Sequence, residues 1–223
     1  PLASLIDHTL LRADATADDI AHLAAEGVQL GVATVCVNGQ WVAWAKRQTE
    51  GRIGVAAVAG FPLGASGPPA KAAETLMAVR DGASEIDVVQ SLGWARAGEW
   101  GLLGAELRAV VEAAGGAAVK VIIESAALTP EQIRQSCIVA VATGAAYVKT
   151  STGFHASGGA TLEAVRQMRQ VVGNHCGVKA SGGIRTAEDA IAMLWAGANR
   201  IGASAAATWD PAIVRQPIKL LAR

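Results

Sequence analysis

A single (β/α)8 TIM barrel, in the α/β class, is the fold this chain of 223 residues predicts, on three observations. Short apolar runs rich in Val and Ile alternate with helical patterns eight times over. The runs are almost continuously apolar, as strands buried on both faces must be. No Pro/Ser-rich linker or charge block interrupts them, so residues 1–223 read as one domain. The alternative, an open doubly wound sheet, would want a glycine-rich dinucleotide loop after its first strand, and LIDHTLLRAD has none.

The eight strands are expected over residues 5–9, 32–37, 53–59, 85–90, 119–124, 147–151, 178–181 and 200–203. Helix starts are expected at Thr16 with Asp19, at Thr129 with Pro130 and Gln132, at Thr186 with Asp189, and at Asp210 with Pro211. In each a side-chain oxygen precedes the helix, and twice a proline occupies the first turn, where its missing N–H costs nothing. Gly27, Gly82, Gly115, Gly144, Gly173 and Gly197 are expected to close helices in a left-handed conformation.

Composition narrows the function classes. Basic and acidic residues balance at 19 each, so the global charge points to neither nucleic acid nor an anionic membrane as a partner. Cys36, Cys137 and Cys176 are odd in number and widely spaced, with no CxxC pair, which argues for a reducing compartment. PLASLIDHTLLRADAT has no basic segment followed by a long apolar one, and no apolar run is long enough to span a bilayer. A soluble cytoplasmic protein is expected. His8, His22, His155 and His175 show no metal-ligand spacing, so no metal is expected.

The chemistry is expected at the C-terminal ends of the strands. Lys149 in YVKTST and Lys179 in VKAS lie one β/α unit apart, inside apolar runs. Two ammonium groups sharing a dry pocket disfavour charge on both, and burial pushes the same way, so one can be a neutral amine able to attack a carbonyl. Asp87 in EIDVV and Lys120 in VKVIIE fall on the neighbouring strands, and Asp7 and Thr9 end the first. Lys120 could serve only to fix Asp87. A second constellation reads as a phosphate grip: Gly182, Gly183 and Arg185 after the seventh strand, and Gly202 and Ser204 after the eighth, where barrels offer backbone N–H groups and helix N-termini. The glycine-rich loop 151–161, containing Gly153, is placed to cover a substrate. A buried inert thiol is the expectation for Cys36.

Taken in order and at their spacings, LIDHTLL, TVCVN, GFPLG, EIDVV, VKVIIES, YVKTSTGF, VKASGGIRT and RIGAS resemble the deoxyribose-phosphate aldolase family, from Leu5 to Ser204. YVKTSTGF with VKASGGIRT is highly specific. The resemblance implies a metal-independent, cofactor-free lyase acting on phosphosugar and aldehyde substrates, with the Schiff-base lysine at Lys149, a second active-site lysine at Lys179 and a proton-relay aspartate at Asp87. It implies phosphate binding by Gly153, Gly182, Gly183, Gly202 and Ser204. Three departures stand out: Ser91-Leu92-Gly93 in place of Asn-Ile-Gly, Ala205 in place of a second serine, and a KLLAR end without a terminal tyrosine. A homodimer or higher homo-oligomer is expected, with Trp41 or Trp100 as exposed interface anchors. Transaldolase-like and ketose aldolases, or a catalytically silent sugar-phosphate binder, are the competing readings.

Overall fold

The computed structural model describes residues 1–217. Eight parallel strands close on themselves in sequence order: β1 Ile6–Leu10, β2 Thr34–Val37, β3 Gly54–Ala59, β4 Glu85–Val89, β5 Ala118–Ile122, β6 Tyr147–Lys149, β7 Gly177–Ser181 and β8 Arg200–Ala203. Around them lie α1 Ala17–Leu30, α2 Val42–Thr49, α3 Pro68–Arg80, α4 Leu92–Ala97, α5 Trp100–Ala114, α6 Pro130–Ala142, α7 Leu162–Val172, α8 Ala187–Ala196 and α9 Pro211–Val214. The barrel read from the sequence is therefore the barrel observed, with one addition. The β4–β5 crossover carries two helices, because Gly98, at φ 77°, ends α4 and lets the chain restart as α5.

The helix starts follow the sequence closely. Thr16, Thr129 and Thr186 each form a reciprocal capping box with the residue three positions on, and Asp210 caps α9. Two glycine expectations need correcting. Gly173 closes α7 at φ 54° and ψ −128°, outside the left-handed helical conformation. Gly27 lies inside α1, and the helix runs on to Gly31 at φ 72°. A Cβ at Gly27 would stand 2.9 Å from Val35 Cγ1, so Gly27 brings helix and strand together rather than ending the helix.

The main apolar core fills the layer between barrel and helices: Ile6, Val35, Val55, Ile86, Val121, Val148, Val178 and Ile201 point outward to meet Leu23, Leu107 and Met168. Inside the barrel a smaller apolar group, Leu11, Cys36, Ala56 and Val58 with Phe61, lines the β2–β3 wall. The opposite wall is polar. Trp41 and Trp100 are half-buried and pack against the main core, which corrects the expectation that they stand free as anchors; among the described tryptophans the exposed one is Trp195, at 61%. The KLLAR end lies outside the described residues.

Candidate active site

Strand register places the charged residues. Lys149 on β6 is directly beside Lys179 on β7, and Asp87 on β4 directly beside Lys120 on β5. All four are buried and point into the barrel. Asp87 joins them: Oδ1 accepts from Lys120 Nζ at 2.6 Å, and Oδ2 accepts from both Lys149 Nζ at 2.6 Å and Lys179 Nζ at 2.7 Å. The two lysines meet on a single carboxylate oxygen.

Below this layer the partners continue. Lys179 Nζ also donates to Asp7 Oδ2, and Lys120 Nζ lies 2.6 Å from Glu85 Oε2. Arg200 bridges Asp7 and Glu85 through Nη1 and Nη2, both at 2.9 Å. Thr34 Oγ1 donates to Asp7 Oδ1 at 2.8 Å, and Thr9 Oγ1 donates to the Asp7 carbonyl at 2.8 Å. Sequence reasoning found one carboxylate among three amines. The structure contains three carboxylates, Asp7, Glu85 and Asp87, against four cationic side chains, Lys120, Lys149, Lys179 and Arg200. Such a cluster is neutral when one lysine has lost its proton.

Electrostatics single out the lysine that gives up its proton most readily. Burial pushes Lys149 below its ordinary 10.5 and Lys179 adds to this, while attraction to Asp87 only partly offsets them. Burial acts on Lys179 too, but Asp7 and Asp87 outweigh it and hold Lys179 above 10.5 as an ammonium. Lys120 is held still more firmly by Asp87, Asp7 and Glu85. Burial favours protonated Asp87, yet the three lysines keep it ionised well below the usual carboxylate range. The idea that crowding lowers both lysines therefore holds for Lys149 alone. Burial pushes the Cys36 thiol up to about 11, so it stays protonated on the facing wall.

Lys149 also has access. A cleft of about 340 Å³ opens over it, lined by Thr9 and by Gly153, Gly182, Gly183, Gly202 and Ser204. Lys120, Lys179, Asp7 and Asp87 lie beneath, outside that lining. Gly202 makes room for the lysine below it, since a Cβ there would sit 3.1 Å from Lys179 Cε and 2.9 Å from Ser181 Cβ. Gly153, Gly159 and Gly182 meet backbone to backbone, with Ala160 N–H donating to the Gly182 carbonyl at 3.0 Å. Arg185 is not drawn in: it is exposed, and its backbone N–H joins the α8 cap by donating to Asp189 Oδ2 at 3.2 Å.

Several contributors escaped the sequence reading. Arg12, Thr152 and Phe154 line the cleft. Glu124, in the left-handed region at φ 57°, accepts 2.7 Å from Thr152 Oγ1 and so ties the β5 end to the loop after β6. Phe154 packs edge-on to Phe61, with centroids 5.2 Å apart. The polar end of VIIES and the hydroxyl of STG were visible signals for the Glu124–Thr152 pair. Ser91, one of the departures, faces away from the barrel: its Oγ bonds Glu106 Oε2 at 2.6 Å. Among the described residues no His, Cys, Asp or Glu group is arranged to hold a metal.

A barrel that presents to a cleft one lysine with a lowered pKa, above ammonium and carboxylate groups, is suited to carbonyl addition at that amine. Comparison with known proteins agrees. Residues 2–208 match the model of the DeoC/LacD family aldolases. A deoxyribose-phosphate aldolase of Geobacillus sp. is 51% identical over 205 residues, covering 91% of this chain and 92% of that one. One from Exiguobacterium sp. is 49% identical over 206 residues, covering 92% and 93%. Among solved structures, tetrameric deoxyribose phosphate aldolase from Aeropyrum pernix superposes with a TM-score of 0.86 at 32% identity, covering 93% of this chain and 88% of that one. The chain belongs to the DeoC/LacD family of aldolases.

Proposed function

We propose that the chain is a deoxyribose-phosphate aldolase that reversibly cleaves 2-deoxy-D-ribose 5-phosphate to acetaldehyde and D-glyceraldehyde 3-phosphate through a Schiff base on Lys149. The observation that carries this reading is the carboxylate oxygen shared by Lys149 and Lys179, at 2.6 and 2.7 Å, with Lys149 alone of the pair opening on the cleft.

In the cleavage direction the neutral Lys149 Nζ adds to C1 of the open-chain sugar. The carbinolamine oxygen takes a proton from the Lys179 ammonium and leaves as water, giving an iminium whose positive charge faces the Asp87 carboxylate. A proton leaves the 3-hydroxyl, the C2–C3 bond breaks, and its electron pair passes to the iminium. Glyceraldehyde 3-phosphate departs and an enamine stays on Lys149. Protonation of the enamine carbon and addition of water release acetaldehyde and restore the amine. Asp87, held ionised, orients the bridging water through which protons pass between Lys179 and the reacting atoms, and Lys120 and Asp7 hold it and Lys179 in place. The iminium is the electron sink, so neither metal nor cofactor is needed.

Gly153, Gly182, Gly183, Gly202 and Ser204 are assigned to the phosphate. The single barrel is taken to be the whole catalytic domain, acting as a homodimer or larger homo-oligomer, a reading supported by the tetrameric relative. A cytoplasmic setting fits three free, buried cysteines. Mass spectrometry after borohydride reduction with acetaldehyde tests the assignment. One N-ethyl group on Lys149 is expected; modification of another lysine, or none, overturns it.

A further inference from the structure

The groups assigned to phosphate are neutral. Glycine backbones supply N–H donors and Ser204 a hydroxyl, while Arg185 does not line the cleft. A phosphate dianion held by neutral donors alone keeps its charge uncompensated. Two basic side chains line the cleft: Lys149, committed as a neutral amine to the sugar carbonyl, and Arg12, whose guanidinium stays charged.

Arg12 leaves the barrel just after β1 and is held at two points. Nη2 lies 2.6 Å from Asp19 Oδ2, and Nη1 lies 3.0 Å from Asp14 Oδ1. Asp19 is itself fixed, accepting from the Thr16 N–H and hydroxyl at 2.8 Å each. Asp14 is 82% exposed, so its pairing is weak and easily exchanged for another anion. The Arg12 side chain is 46% exposed and can reach a ligand. On its other side lies a second cleft of about 380 Å³ that shares Thr9, Arg12 and Ser204 but carries Asp18, Asp19 and Glu26. An anion is repelled from that acidic side and favoured on the glycine side, with Arg12 on the boundary.

We propose that Arg12 is the residue by which this site prefers phosphorylated over unphosphorylated sugars, its guanidinium closing on the phosphate opposite Gly183 and Ser204. The proposal rests on the aldolase reading and adds its substrate-selecting charge.

The test compares kcat/KM for 2-deoxyribose 5-phosphate and for 2-deoxyribose in wild type, Arg12→Gln and Arg12→Lys. In Arg12→Gln the ratio of the two should fall at least about tenfold, the size expected for one charge-assisted hydrogen bond, through KM rather than kcat. Arg12→Lys should recover part of it. Calorimetry with inorganic phosphate on the resting enzyme should show matching weakening in Arg12→Gln. Equal loss on both sugars, or an unchanged ratio and unchanged phosphate binding, overturns the proposal. A wild type that binds phosphate through Arg12 but cleaves neither sugar would instead overturn the aldolase reading.

Discussion

Among the described residues, two places bury a lysine beside carboxylates, and only one is built for chemistry. Between α3 and α5, Lys71 donates to Glu106 Oε2 at 2.8 Å and to Ser91 Oγ at 3.2 Å, with both charged side chains fully buried. In the barrel, Lys149 shares Asp87 with two other lysines. Burial pushes Lys71 below its ordinary 10.5 just as it does Lys149. A depressed lysine is thus no sign of a nucleophile by itself. Lys71 has one carboxylate to itself and is 0% exposed, whereas Lys149 competes for its carboxylate and, at 3%, forms the floor of an open cleft. Access and unequal sharing make the difference.

The sharpest way to break that contrast is Lys149→Ala, which should lower turnover at least about ten-thousand-fold and abolish borohydride trapping with acetaldehyde. Trapping on Lys71 in either protein would remove the distinction. Next comes Glu106→Ala, which leaves a buried ammonium alone and should cost about 3–5 kcal/mol in chemical denaturation, while the folded fraction keeps its rate. The pair Lys71→Met with Glu106→Leu should restore most of the loss.

Replacing Lys179 with Leu sharpens the comparison through pH. The active form of Lys149 is neutral, so the rate rises with pH through its depressed pKa. Removing the positive neighbour raises that pKa and moves the rising limb to higher pH, with a loss of about a hundredfold or more near neutrality, in the range of one general acid. A pH–rate profile that stays in place would refute the coupling. The smallest effect is expected for Ser91→Ala: about 1 kcal/mol of stability from a hydrogen bond to a charged pair, with the pH–rate profile unmoved.

The fold was legible because barrel strands and helix caps are local signals. Thr16, Thr129 and Thr186 announce their helices within four residues, and the apolar runs announce the strands. Lys149, Lys179 and Asp87 were legible because a charge inside an apolar run is anomalous wherever it occurs. Their partners were not. Arg200 lies 193 positions from Asp7 and 115 from Glu85, and these meet only once β8 closes against β1. Hence the sequence suggested lysines crowding one aspartate, whereas three carboxylates hold two lysines charged so that the third can be neutral. Lys71 and Glu106 hid for a different reason. On amphipathic helices they look like solvated surface, and only the packing of α3 on α5 buries them. Arg185 and Arg12 show the limit of loop reading: both sit near glycine-rich turns or caps, and side-chain direction decides which one reaches the cleft.

The meeting of Gly153, Gly159 and Gly182 makes the loops after β6 and β7 one thin wall, a single backbone deep on either side. Pressure applied to one face is passed directly to the other. Amide deuterium uptake should therefore slow in both segments together when an anion occupies only one of them.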